Sequence, residues 1–119
     1  MYRIGQEEID AVARAIMSRQ FFKINAAGQE VYNFEEEWKK LTGSGYMITM
    51  TSGFAALSSA LIGLGIGPGD EVIVPAYTYI ASALAVTSVG AIPVIADVDD
   101  TLTLDMDDVE RKYDTYDEN

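Results

Sequence analysis

The sequence predicts an α/β fold in which short buried strands alternate with helices behind two amphipathic helices. Two observations carry that expectation. The apolar runs Tyr46–Met50, Glu71–Pro75 and Ile92–Asp97 are short, and Gly, Pro, Ser or Asp bounds them. Between them lie helix-length stretches, so strand and helix alternate as they do in parallel sheets covered on their faces.

The N-terminal elements come first. Ile9, Val12, Ala13, Ile16 and Met17 recur at helical spacing, with Glu7 and Glu8 in the first turn, where the helix dipole favours anions. That stripe gives an amphipathic helix of about four turns ending near Arg19. Asp10 and Arg14 add an i,i+4 pair. Phe21 to Gly28 has no period and reads as an ordered loop. Val31, Phe34, Trp38 and Leu41 form a second stripe, with Glu35–Lys39 and Glu36–Lys40 placed on the wet side and Gly43 as C-cap. Residues 1–43 are therefore read as one region and 44–119 as the start of an α/β domain.

In that second region Tyr46–Met50 reads as a strand and Phe54–Leu64 as a helix of small residues. The run "GLGIGPGDE" stops the helix. "EVIVP" is the next strand, Tyr79–Val89 the next helix, and "IPVIAD" the third strand. Asp105 to Glu110 can cap and begin a last short helix, and after Lys112 no strand or helix pattern remains.

Composition narrows the chemistry. Nineteen acidic residues against 8 basic ones give a formal charge of −11, with neither His nor Cys anywhere. A nucleic-acid surface needs clustered Lys and Arg, and an anionic membrane attracts the same residues. Neither partner is expected. Without His there is no Ser-His-Asp triad and no His metal site; without Cys there are no disulfides or thiolate nucleophiles. Leu41 through Glu110 carries no Lys or Arg at all. No apolar signal region opens the chain, and the expected compartment is cytoplasmic. Val72 to Ala96 is uncharged and long enough to span a bilayer. Pro75, Gly90 and Pro93 divide it into strand, helix and strand.

Three motifs bear on ligands. The glycine run Gly63–Gly69 tempts a dinucleotide reading, but that fingerprint follows a strand and opens a helix. Here a helix precedes it, and Pro68 or Asp70 occupies the last glycine position. "TSGFAAL" (Thr51–Leu57) has the correct order of strand, turn and helix. Its backbone N–H groups, with no side chain at Gly53, can cradle an anion; a plain Ser52 N-cap explains the same residues, and the motif alone leaves both open. Tyr77, Thr78 and Tyr79 sit at the end of the next strand, where an aromatic ring either packs or stacks on a flat ligand. Ligands of such sheets bind at the carboxyl ends of strands, where both turns fall. Asp97, Asp99 and Asp100 match no calcium-loop spacing, so no metal site is expected.

Taken together, "GQEEIDAVARAI", "GQEVYNFEEEWKKLTG" and the run from "TSGFAAL" to "IPVIADVD" resemble the N-terminal part of the DegT/DnrJ/EryC1/StrS aminotransferases, from about Gly5 to Val109. The resemblance implies pyridoxal 5'-phosphate (PLP) as cofactor and an incomplete fold-type-I large domain, the parallel-type sheet of PLP transferases, after the two N-terminal helices. It implies that Ser52, Gly53 and Phe54 receive the cofactor phosphate and that Tyr79 stacks on the pyridine. Lys23 and Asn25, in the loop at the substrate entrance, would touch substrate. The family pattern has Thr where this chain has Phe54, a lost hydroxyl contact of about 1 kcal/mol, more if it faces a charged phosphate.

The family's Schiff-base lysine matches none of Lys23, Lys39, Lys40 or Lys112, so no catalytic residue is expected in this chain. The resemblance also implies that later strands separate the first strand of the sheet from the next two. The expectation is a split enzyme, a dimer of heterodimers. A complementary C-terminal chain would bring the lysine, its acidic partner and the missing strands. Such an enzyme would move an amino group from glutamate or glutamine to a keto-sugar or keto-cyclitol. The alternative is a truncated, inactive remnant or regulatory fragment; a nucleotide-binding module fits less well.

Overall fold

The computed structural model describes residues 4–21 and 30–114. The chain divides into two compact units, Met1–Thr49 and Met50–Asn119.

The first unit holds α1 (Gln6–Ser18) and α2 (Glu30–Thr42). Glu8 reaches back to accept the Gly5 N–H at 2.7 Å, which satisfies one of the donors a helix start leaves open. That bond holds the Glu8 carboxyl below its ordinary range. Arg19 ends α1 in the left-handed region, its N–H bonded to Ile16 O. Gly43 ends α2 at φ 72°, a geometry suited to glycine, and its N–H donates to Lys39 O at 2.9 Å. The Phe34 and Trp38 rings meet one turn apart, centroids 5.7 Å.

None of the three expected side-chain pairs forms, and Glu36 takes Lys39 rather than Lys40. Arg14 pairs with Glu30 at 3.6 Å, while Asp10 accepts from Gln6 Nε2 at 2.8 Å. Glu35 is not on the wet side: only 5% of it is exposed, and Lys39 pairs with Glu36 instead. The Glu35 carboxylate accepts the Thr49 N–H at 2.7 Å and the Thr49 hydroxyl at 2.9 Å. Helical spacing shows which residues share a face, but not that a distant backbone donor waits there.

Residues 46–50, expected as a strand, pair with no other strand among the described residues. A strand is defined by its ladder, and residues 46–50 form none with either described strand.

The second unit is the α/β part, in the order α3 (Gly53–Gly63), β1 (Glu71–Pro75), α4 (Ala81–Ser88), β2 (Ile92–Ala96) and α5 (Met106–Asp114). β1 and β2 pair in parallel, from Glu71 opposite Ile92 to Pro75 opposite Ala96. Parallel neighbours need a crossover, and α4 provides it. Val74, Val86 and Ala91 form the core, with Leu61, Ile66, Val72 and Val89 packed around it. Ala96, fully buried, closes the end of β2.

The glycine run is a helix stop. Gly65 and Gly69 take positive φ, and Asp70 Oδ2 accepts the Gly67 N–H at 2.8 Å. Gly90 ends the turn after α4 at φ +85°, where an added Cβ would lie 2.9 Å from Pro68 Cγ. At the other end of β2, Asp105 Oδ1 caps α5 by accepting the Asp107 N–H at 2.9 Å. α5 runs two residues beyond Lys112, further than the sequence pattern indicates. Asp108, 6% exposed, accepts the Asp97 N–H at 2.8 Å and pairs with Arg111 and Lys112. Asp99 closes its own turn by accepting from the Thr101 N–H and hydroxyl.

Candidate functional site

The turn entering α3 caps the helix and leaves backbone donors open. Ser52 is extended (φ −162°, ψ 163°), and its Oγ accepts the Ala55 N–H at 3.1 Å. Its carbonyl accepts the Ala56 N–H at 3.0 Å. Between those two bonds, the N–H groups of Gly53 and Phe54 have no hydrogen-bond partner among the described residues. A Cβ added at Gly53 would meet nothing within 4 Å, so the space in front of these donors is open. The positive end of the α3 dipole points there, equivalent to about half a unit charge, and no acidic residue stands in the first turn. The N-cap and the cradle are one structure: capping by the Ser52 oxygen leaves its proton and two backbone donors available.

This turn forms one wall of a cleft of about 700 Å³, within the size range of small-molecule sites. The opposite wall is Tyr79, Ala81 and Ser82, from the loop after β1 and the first turn of α4. Tyr79 is 80% exposed, so its ring is free to lie against a flat ligand rather than being used up in packing. Tyr77 does not line the cleft. The floor is apolar, made by Ala56, Leu57 and Ala60. A second cavity of about 180 Å³ lies between α3, α4 and β1, sharing Leu57, Ala60 and Ser82 with the cleft and bounded elsewhere by Leu61, Val72 and Val86.

The cleft thus brings together Ser52, Gly53, Phe54 and Tyr79, which the sequence places on two turns 25 or more residues apart in number. Lys23 and Asn25 lie outside the described residues. Among the described residues no group of three His, Cys, Asp or Glu side chains could hold a metal. No helix among them is long and apolar enough to cross a membrane. Ser82 was not singled out from the sequence; its signal was the Thr78–Ser82 spacing of four across a helix start.

A PLP-sized group fits this donor set. Its phosphate needs N–H donors at a helix start, its ring needs an aromatic face and an apolar floor, and the cleft supplies all three. Among the described residues no lysine lines the cleft.

Comparison with known proteins points the same way. The profile of the DegT/DnrJ/EryC1/StrS aminotransferase family matches residues 3–116. The dTDP-3-amino-3,4,6-trideoxy-alpha-D-glucose transaminase of Streptomyces venezuelae is 48% identical over 84 residues, which are 71% of this chain and 21% of that protein. The crystal structure of 3-amino-5-hydroxybenzoic acid synthase superposes with a TM-score of 0.86 at 37% identity, covering 92% of this chain and 28% of that one. A candidate sugar aminotransferase from Streptococcus pneumoniae, solved in its PLP form, gives a TM-score of 0.80 at 36% identity, with 92% and 27% covered. The chain therefore spans between a fifth and three tenths of the length of these relatives.

Proposed function

This chain belongs to the DegT/DnrJ/EryC1/StrS aminotransferase family, and from that premise we propose that it supplies the phosphate-binding wall of a PLP site. The observation that carries the reading is the pair of free donors at Gly53 and Phe54, facing Tyr79 across one open cleft. The bound cofactor would supply the electron sink for amino-group transfer. This chain's residues would do the holding. Gly53 and Phe54 N–H groups and the Ser52 hydroxyl would take the phosphate, while Tyr79 covers one face of the ring and keeps water from it.

The substrate reading follows the relatives. The transfer runs from an amino acid, glutamate or glutamine, to a keto-sugar or keto-cyclitol, with Lys23 and Asn25 at the substrate entrance. The cofactor-holding lysine, its acidic neighbour and the remaining strands come from a complementary chain, and the working enzyme is a dimer of heterodimers. Two features support further strands beyond those described. Residues 46–50 lie without a ladder partner, and the described sheet has only two strands. Unpaired edges of that kind are where another chain's strands add. Phe54, in place of the family's Thr, favours the second reading, an inactive remnant that keeps the fold.

The experiment is co-expression of this chain with the complementary polypeptide, followed by mass and absorbance measurements with PLP. Both chains should co-elute with a band of protein-bound cofactor. A complex without the band would leave the remnant reading standing, and the absence of any complex would remove the split-enzyme reading.

A further inference from the structure

Ser82 is a polar side chain in the cleft to which the cradle assigns no role. It stands in the first turn of α4 and is half-buried. The other hydroxyls of that helix are committed to its backbone: Thr87 donates to Leu84 O at 3.0 Å and Ser88 to Ala85 O at 2.7 Å. Ser82 makes no such bond. Its only side-chain hydrogen bond among the described residues is with Thr78, Oγ to Oγ1 at 3.0 Å. Nor is the pair a helix cap, since α4 begins after Ile80 with no side-chain capping bond.

Two hydroxyls sharing one hydrogen bond have one proton left over. When Thr78 donates to Ser82, the free proton is on Ser82, the member of the pair that lines the cleft. Beyond the Ser52 hydroxyl and the backbone donors of the turn, the cleft's side chains offer an anion little else. No Lys or Arg occurs from Leu41 to Glu110, and position 54 carries a phenyl ring.

We propose that Ser82, oriented by Thr78, donates a hydrogen bond to an anionic oxygen of the bound cofactor, adding a side-chain donor to a cleft in which Phe54 supplies none. The inference rests on the PLP reading of the cleft. Two oxygens share the required chemistry, one on the phosphate and the other the ring phenolate. Ser82 is the binding residue, and Thr78 acts through it as a positioning residue.

The test uses the assembled enzyme and measures dissociation constants for PLP and for pyridoxal, which lacks the phosphate, together with the pH midpoint of the bound cofactor's absorbance. A hydrogen bond to a charged oxygen predicts that Ser82→Ala weakens PLP binding by roughly tenfold or more. Thr78→Val should act in the same direction but less. Ser58→Ala is the control. It removes a hydroxyl that links α3 to α4 through Ser88 at 2.9 Å but does not line the cleft, and it should leave binding unchanged. If the oxygen is on the phosphate, the loss appears with PLP and not with pyridoxal. If it is the phenolate, both ligands weaken and the pH midpoint rises. Phe54→Thr should restore part of the affinity lost in Ser82→Ala. Unchanged affinity and midpoint in Ser82→Ala would overturn the inference, as would an equal loss in Ser58→Ala. A wild-type assembly that binds neither ligand would instead remove the PLP reading beneath it.

Discussion

Among the described residues the two units of this chain each bury one carboxylate, and they do so in opposite settings. In the second unit Asp108 latches α5 to the end of β2 beside an existing core of Val74, Ala85, Val86, Ala91 and Ala96. In the first, Glu35 is the one buried residue among those described, and Ile9, Val12, Ile16 and Leu41 are more than half exposed. The difference is between a region that has closed its own apolar interior and one that has not. In the second unit polar contacts refine a shape that burial already favours. In the first, caps and one carboxylate carry the definition, and the apolar stripes stay exposed among the described residues.

Substitutions can break or sharpen that contrast. The largest effect is expected at Gly90 in the second unit. Gly90→Ala must place a side chain in the left-handed region and push against Pro68, where the Cβ would lie 2.9 Å away. The combined cost is about 2–5 kcal/mol, read as a lower urea midpoint with an unchanged slope. A loss under about 1 kcal/mol would mean that the turn beneath the core is slack, and the contrast would fail.

Next comes Glu35→Ala, which strands the Thr49 N–H and hydroxyl at a cost of about 1–3 kcal/mol. Its signature is local: amide exchange at Thr49 should quicken while amides of β1 and β2 keep their protection. Equal quickening in both units would show that the first unit is not held separately.

The third effect is a pH dependence in the second unit. Lys112, then the Asp97 N–H, then Arg111 hold the Asp108 carboxyl at about 2, below its ordinary 3.8. A depressed carboxyl stabilises the fold above the unfolded value and loses that contribution as pH falls through the folded one. Acid titration from 3.8 toward 2 should therefore lower the thermal midpoint of the wild-type chain. Asp108→Asn should start lower and show a shallower slope over that window, and parallel curves would remove Asp108 as the latch. The smallest effect belongs to Arg14, whose pair with Glu30 is exposed on both sides. Arg14→Ala should change stability by less than about 1 kcal/mol.

Much of this was legible from residue order. Helical spacing placed α1 and α2, and apolar runs bounded by Gly and Pro placed β1 and β2 within a residue or two. The turn before α3 was legible as either a Ser52 N-cap or an anion cradle; the structure shows the cap and leaves the Gly53 and Phe54 N–H groups open. Other features were not legible. Glu35 looked like the start of an i,i+4 pair, yet it answers a donor 14 residues away. Asp108 looked like one of several acidic tail residues, and its backbone partner is 11 residues back.

Local preference and hydrophobic period are properties of consecutive residues, so the sequence by itself determined the described helices, β1 and β2, and their order. Which carboxylate is buried, which hydroxyl escapes its helix, and which turns meet across a cleft depend on residues far apart in the chain. Only packing β1 against β2, with α3 and α4 over them, brings Tyr79 and Ser82 opposite the Gly53 turn. For residues 46–50 the sequence gives strand character alone, because a ladder needs a second backbone and tertiary structure decides where that comes from.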